Sequence, residues 1–294
     1  MHSSDSAPRC LTELQRLQSP CRLCPRLCNV TRDGADLGYC RAPRRLVVAS
    51  ASPHFGEEAV LVGTGGSGTI FFAGCNLRCV FCQNADISHT VRGSPWDVGD
   101  LVYAMLRLAD GGCENINFVT PTHYAAGVAE AVVEARRRGL SVPIVYNCGG
   151  YELASTLRLL EGLIDIYMPD IKFFRRETAD RYAGAADYAD RAREAVLEMH
   201  RQVGDLRIDG ETASRGLLVR HLVMPGAGQE GRDILDWLAR DVSPTTFVNV
   251  MGQYRPLHRA REFPEIDRPP TEDEVLDLKA HAQHLGLRLA ERPA

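Results

Sequence analysis

The stretch TIFFAGCNLRCVFCQN, residues 69–84, carries the most information in this chain of 294 residues. Its opening, 69–73, is apolar after the threonine, as a strand covered on both faces requires. Gly74 then permits a sharp backbone turn. Cys75, Cys79 and Cys82 follow at C-x3-C-x2-C spacing. Three thiolates so spaced can face one corner of a cubic iron–sulfur cluster, and no fourth cysteine follows in the loop, so one iron is left open to a non-protein ligand. The competing reading is structural zinc, which needs four protein ligands and would take His89 as the fourth.

Outward from this loop the chain alternates two kinds of segment. Strand-like apolar runs fall at 69–73, 115–119, 143–147, 164–168, 217–224 and 246–251. Helix-like stretches lie between them at 98–108, 125–138, 153–161, 188–203 and 230–240, and a last one at 272–285 starts from Thr271 as N-cap. Six such units predict an α/β fold with a parallel sheet, either doubly wound or an incomplete barrel. In both, ligands gather at the C-terminal ends of the strands. The chemically interesting residues sit there: Gly74-Cys75, Thr120-Pro121-Thr122-His123, Asn147-Cys148-Gly149-Gly150, Asp170 with Lys172, Pro225-Gly226 and Gln253-Tyr254.

Composition narrows the class. With 45% apolar and 24% charged residues, the chain is an ordinary globular one, which excludes wholesale disorder. No run approaches the roughly 18 apolar residues of a membrane helix, and the N-terminus is polar where a signal peptide would be apolar. A net charge of −4 argues against general nucleic-acid binding. A cytoplasmic, membrane-free protein is expected. Ten cysteines in such a setting stay reduced, so clustered ones point to metal ligation.

A second set, Cys21-x2-Cys24-x3-Cys28-x11-Cys40, satisfies either a structural zinc or a second iron–sulfur cluster. The segment around it is too polar for a core of its own, so metal would hold it folded. The expected organisation is a frayed terminus over residues 1–9, a cysteine-rich module ending at residue 45, short strands leading inward from 46, and the main domain to residue 294. Cys10, Cys113 and Cys148 stand alone; only Cys148 lies at a strand end, where it could meet a ligand.

Of 34 basic residues only Lys172 and Lys279 are lysines. Against that arginine background, chance placement of a lysine at one chosen position is below about 1%. Lys172 shares a strand face with Asp170, since residues i and i+2 point the same way; the bland alternative is a solvated pair. Arg220 lies in an apolar run and needs a partner there, the bland alternative being an internal salt bridge. His221 reads as a satisfied strand-end histidine, and Lys279 as a surface residue of the last helix.

The C-x3-C-x-φ-C loop, with Phe81 as the aromatic, resembles that of the radical S-adenosylmethionine (SAM) superfamily. More closely, the chain is similar to the pyruvate formate-lyase activating-enzyme-related branch. The segments GTIFFAGCNLRCVFCQN, INFVTPTHY, VPIVYNCGGYE, IDIYMPDIKF and VRHLVMPG carry that likeness between Gly68 and Gly226. The resemblance implies an incomplete parallel (β/α)6 radical-SAM barrel preceded by the small cysteine-rich module. It implies a [4Fe-4S] cluster on Cys75, Cys79 and Cys82, whose open iron is chelated by S-adenosylmethionine. It further implies an oxidoreductase that generates a 5′-deoxyadenosyl radical, with flavodoxin or ferredoxin as electron donor. Phe81 would lie against the adenine, or simply pack in the core. Asp170, Lys172 and Arg220 would lie near the cofactor's carboxylate, and Asn147 stands where the branch has an acid. Typical members carry Gly-Gly-Glu-Pro where this chain has residues 120–123, so Thr120 and Thr122 hydroxyls or carbonyls must receive the cofactor's amino group. The implied activity is installation of a glycyl radical on a protein partner, or a radical step on a small molecule or peptide. A zinc-stabilised binding module is the non-enzymatic alternative, which the acidic balance and the polar strand ends disfavour.

Overall fold

A computed structural model describes residues 6–290. Its ten described strands are β1 (Leu46–His54), β2 (Ser67–Phe72), β3 (Ser94–Trp96), β4 (Asn115–Val119) and β5 (Ile144–Cys148), then β6 (Ile166–Pro169), β7 (Arg207–Asp209), β8 (Thr212–Leu222), β9 (Phe247–Met251) and β10 (Arg288–Leu289). They form one sheet in the order β10-β9-β8-β6-β5-β4-β2-β1-β3, with β7 paired to β8 at the side. From β2 to β9 the parallel strands follow one another in chain order. A doubly wound sheet would reverse direction at a switch point. This sheet does not reverse, so that alternative falls.

The parallel strands form where the apolar runs predict them, because they are buried on both faces. Every residue of β5 and β6 is buried. Helices Val98–Asp110, Ala125–Arg137 and Tyr188–Val203 stand close to expectation, and Glu272–His284 starts from a Thr271–Glu274 capping box. Three expectations need correction. Helix Ala154–Arg158 is much shorter than 153–161, since its next residues turn back toward β6. The run expected at 217–224 belongs to an eleven-residue strand beginning at Thr212, extended by its hairpin with β7. Residues 6–9 of the expected frayed terminus start helix Ser6–Gln18, while residues 1–5 lie outside the described residues.

Helix Arg176–Ala183 has no counterpart in the sequence pattern, for a physical reason. Its sequence RETADRYA buries only Ala179, Tyr182 and Ala183, too narrow a stripe to read. Tertiary contacts hold it instead. The Glu230 carboxylate accepts the Phe174 and Arg175 amides at 2.7 and 2.9 Å and the Thr178 hydroxyl at 2.7 Å. At the other end, the Arg78 and Val80 amides donate to the Ala183 and Tyr182 carbonyls at 3.1 and 2.9 Å. The cysteine loop thus satisfies carbonyls that a helix C-terminus leaves unpaired.

The cysteine-rich N-terminal segment has no separate core. Leu14, Leu23, Cys40 and Ala42 are buried in the same cluster as Ile70, Phe72 and Phe118 of the sheet. Its contact with the loop after β2 runs through Gly74, whose φ is +87°. A Cβ there would stand 3.0 Å from the Cys40 carbonyl oxygen and 3.3 Å from Ala42 Cβ and His123 Nε2. We expect Gly74→Ala to cost about 1–3 kcal/mol, the range for strained backbone at such sites. A urea midpoint equal to that of the unaltered protein would show that the turn tolerates a side chain after all.

Candidate active site

Cys75, Cys79 and Cys82 line one cavity of about 220 Å³, together with Phe81, Thr120, Asn147, Asp170, Lys172 and Arg220. Strand order explains the gathering. The cysteine loop leaves β2, Thr120 leaves β4, Asn147 lies on β5, Asp170 follows β6 and Arg220 lies on β8. These groups cluster at one end of the sheet, the place expected for ligands in parallel α/β folds. Spacing named the three cysteines, and strand-end position together with the family resemblance named the other side chains.

The loop itself is rigidly held. Asn76 donates to the Tyr151 carbonyl at 2.7 Å, and Arg26 reaches the Asn76 carbonyl at 2.9 Å. The Leu77 amide points to Cys75 Sγ at 3.4 Å, and Cys82 Sγ lies 3.3 Å from the Ser88 hydroxyl. Burial pushes the Cys75 thiol up to about 11 and the Cys79 thiol up to about 12. Lys172 pulls in the opposite direction on both. The resistance of Cys75 and Cys79 to ionisation suits a positively charged inorganic centre, which deprotonates its thiolate ligands. His89, the fourth ligand of the zinc alternative, is not among the cavity's lining residues, and its ring stands 4.8 Å from that of His258. Burial, then the charge of Arg78, lowers its pKa to about 4. Among the described residues no three His, Cys, Asp or Glu are grouped to hold a single metal ion.

The same cavity holds a charge network. Arg220 Nε donates to Asp170 Oδ1 at 2.7 Å and a terminal nitrogen donates to Asn147 Oδ1 at 2.7 Å. Glu57 Oε2 lies 3.4 Å from the same guanidinium. Lys172 Nζ contacts the other Asp170 oxygen. Burial pushes the Asp170 carboxyl up, yet Arg220 and Lys172 outweigh it and hold the pKa below the usual value. The side chains of Asp170, Lys172 and Arg220 are each 14–16% exposed, so the solvated-pair alternative for Asp170 and Lys172 does not describe them. Two cations and two carboxylates leave the network close to neutral. An anionic group entering here would meet Lys172 and Arg220 already fixed in place.

Phe81 both lines the cavity and packs against Phe173 and Tyr254, at 6.1 and 5.6 Å between ring centres. Thr120 lines it with φ at +58°, unusual for a β-branched residue. Thr122 is placed elsewhere. It is buried, and its hydroxyl donates to Glu152 Oε1 at 2.5 Å behind the turn. His221 is a satisfied strand histidine, with Nδ1 2.9 Å from the Ile171 carbonyl oxygen. Cys148 lines the cavity as expected.

Four participants escaped the sequence reading. Tyr188 Oη accepts the Lys172 amide at 3.0 Å and contacts the Asp170 and Gly149 carbonyls at 2.8 and 3.0 Å, so it fixes the Asp170–Lys172 backbone. Glu57 arrives from the β1–β2 connection, which carries no motif. Glu152 is fully buried, and burial raises its carboxyl to about 8 despite the Thr122, Cys148 and Tyr146 donors. Asn117 is 0% exposed with both amide atoms unpartnered, two residues before Val119 of the cavity wall. Period-two alternation places Asn117 on the same face of β4, so an unsatisfied amide lies on the cavity side of the sheet.

Comparison with known proteins agrees with this geometry. The chain matches the Radical SAM superfamily over residues 69–238, more than half its length. It is 30% identical over 282 residues to an uncharacterized protein of Methanocaldococcus jannaschii, covering 92% of this chain and 76% of that one. Among solved structures it is similar to SuiB of Streptococcus suis bound to the precursor peptide SuiA. That likeness has a TM-score of 0.52 at 11% identity and covers 74% of this chain and 46% of SuiB, so the chain spans about half of SuiB's length. A radical SAM methyltransferase from Sphaerobacter thermophilus matches with a TM-score of 0.50 at 12% identity, over 85% of this chain and 77% of that one. Both likenesses concern the fold. With its cysteine loop at the head of the matched region, the chain belongs to the radical SAM superfamily.

Proposed function

We propose that this protein is a radical SAM oxidoreductase whose [4Fe-4S] cluster sits on Cys75, Cys79 and Cys82 and whose substrate is a peptide or protein. The observation that carries it is a single cavity lined by the three motif thiols together with Asp170, Lys172 and Arg220. The sheet is read as the incomplete barrel of that superfamily, with residues 1–45 as a docked module and 46–294 as the barrel domain. When bound, the cluster and S-adenosylmethionine supply one-electron cleavage of a sulfonium to a 5′-deoxyadenosyl radical able to abstract hydrogen.

The chain's own residues bind and orient. Lys172 and Arg220 receive the cofactor's carboxylate, while Asp170 keeps both cations in place. Thr120 and its backbone face the amino group, and Phe81 flanks the adenine. Asn147 holds Arg220. A small flavoprotein or ferredoxin of the flavodoxin or ferredoxin kind supplies the electron. Installation of a glycyl radical is one such reaction. The Thr120–His123 turn differs from the Gly-Gly-Glu-Pro of the resembling branch, so the acceptor need not be that branch's partner.

The N-terminal cysteines form a second centre, a cluster or zinc, in this reading. Arg32 supports it. This residue is 1% exposed and donates to the carbonyls of Ala42, His123 and Pro43 at 2.8, 2.6 and 2.8 Å. Among the described residues no carboxylate forms an ion pair with it. Burial raises the Cys40 thiol while Arg32 opposes that rise. A buried permanent cation needs a counter-charge, and four metal-bound thiolates carry a net negative one.

Anaerobic reconstitution is expected to give about four irons for the Cys75–Cys82 site, as one cubic cluster requires. Any of Cys75→Ala, Cys79→Ala or Cys82→Ala should abolish the spectral response to S-adenosylmethionine. Cys21→Ala with Cys24→Ala should remove one metal equivalent and leave that response intact. Stoichiometric zinc without iron or sulfide would defeat the whole assignment. Unchanged metal content in the double variant would defeat the second centre alone.

Lys172→Arg tests the carboxylate pocket separately. The compact ammonium contacts Asp170 beneath Arg220, and a longer planar guanidinium cannot take the same place. Cofactor affinity should fall about tenfold, equivalent to about 1.4 kcal/mol. Equal affinities in titrations of the cluster-loaded proteins would remove Lys172 from the pocket.

A further inference from the structure

Beside the cofactor cavity, and sharing Arg220, Met251 and Gln253 with it, opens a larger cleft of about 690 Å³. One wall is the connection Phe55–Glu58 and the other is helix Glu272–His284. Its volume falls in the roughly 300–1,000 Å³ range of small-ligand sites. Phe55 and Leu276, 64% and 53% exposed, flank it, so its outer walls are apolar.

The inner wall carries a carboxylate with one oxygen unpaired. Glu58 lines the cleft, is 7% exposed, and accepts Asn249 Nδ2 on Oε1 at 2.8 Å. Its second oxygen, Oε2, is shut off from water with no hydrogen-bond partner. Among the described residues no cation stands at ion-pair distance from Glu58; Arg220 attracts it from farther off while pairing directly with Asp170 and Glu57. A buried carboxylate oxygen left bare is costly unless something completes it. The charges of the cleft, Glu57, Glu58 and Glu272 against Arg220 and Lys279, also leave one negative charge uncancelled.

We propose that this cleft is the substrate site and that Glu58 receives an ammonium at the end of an aliphatic chain, a lysine-like group. Phe55, Leu276 and Met251 cover the hydrocarbon stem, and Glu58 holds the tip near the edge shared with the cofactor cavity. Lys279 lies half-buried on the helical wall instead of on the open surface its sequence position suggested. There it repels a second positive charge, which favours one ammonium over a polyamine. The assignment of the occupant as substrate rests on the radical SAM reading; the binding of the cation does not.

Isothermal titration of the anaerobic, cluster-loaded protein, with and without S-adenosylmethionine, tests it. The probes are Nα-acetyl-lysine N-methylamide, n-butylamine and the uncharged Nα-acetyl-norleucine N-methylamide. The lysine amide should bind at least tenfold tighter than the norleucine amide. A lysine amide tighter than butylamine assigns the group to a peptide, and the reverse assigns it to a free amine. Glu58→Gln preserves an acceptor for Asn249 and should lose at least tenfold in lysine-amide affinity while binding S-adenosylmethionine as before. It should also melt no lower than the unaltered protein, because it removes an unpaired buried charge. Equal affinity for the lysine and norleucine amides, or undiminished lysine-amide binding in Glu58→Gln, overturns the proposal. Should Glu58→Gln fail to fold, Lys279→Gln decides: it should tighten lysine-amide binding two- to threefold, and unchanged or weaker binding overturns the proposal. Failure of the cofactor titration with intact amine binding would instead strike the cavity reading.

Discussion

The ion pair between Arg220 and Asp170 is the contact on which the rest of the site depends. Its two charges lie 2.7 Å apart among buried neighbours, where taking either from water costs several kcal/mol and only good geometry compensates. The geometry is good because the pair is not alone. Asp170 lies just beyond β6, Arg220 on β8, Asn147 on β5, and Glu57 comes from the connection after β1. Breaking such a pair from one side typically costs 3–5 kcal/mol, since the remaining charge stays buried. The network therefore fixes the relative positions of four chain segments as well as its own members. Lys172 completes it, and Tyr188 holds the backbone from which both Asp170 and Lys172 project.

The two cysteine sets are mechanically one unit. The Arg26 guanidinium lies 3.6 Å from the Tyr39 ring centre and 5.0 Å from that of Tyr151 while donating to the Asn76 carbonyl. Arg78 of the cysteine loop donates to the Tyr39 carbonyl in return. The Cys40 carbonyl closes against Gly74, where a Cβ would stand only 3.0 Å from its oxygen. Arginines thus bind backbone carbonyls across the contact, a task suited to their fixed fork of donors. These contacts seat the loop that carries Cys75, Cys79 and Cys82 against the N-terminal segment.

What was legible in the sequence was whatever local pattern encodes. Continuous apolar runs marked the buried parallel strands, and cysteine spacing marked the loop. The scarcity of lysine singled out Lys172, which the structure places in the charge network. What was not legible arises from long-range pairing. Glu57 meets Arg220 across 163 residues of chain, and Asn249 meets Glu58 across 191. Neither acid has a neighbour in sequence that announces a role. Helix Arg176–Ala183 was missed because the Glu230 carboxylate and the cysteine loop hold it from outside, and Lys279 because a wide apolar stripe does not mark the inner side of its helix.

The turn at residues 120–123 shows how a departure from a resembling motif is absorbed. Where the branch that the sequence resembles has a glutamate within the turn, this chain buries Glu152 behind it, accepting the Thr122 hydroxyl and lying 3.4 Å from Tyr146 Oη. The Thr120 amide donates to the Asn147 carbonyl at 2.8 Å, and its φ of +58° is held against a cost of order 1–3 kcal/mol. Such strain persists only where the surroundings over-determine it. Here they do, from β5 on one side and from Glu152 on the other. Thr120 lines the cavity, and Thr122 holds the turn in shape through Glu152.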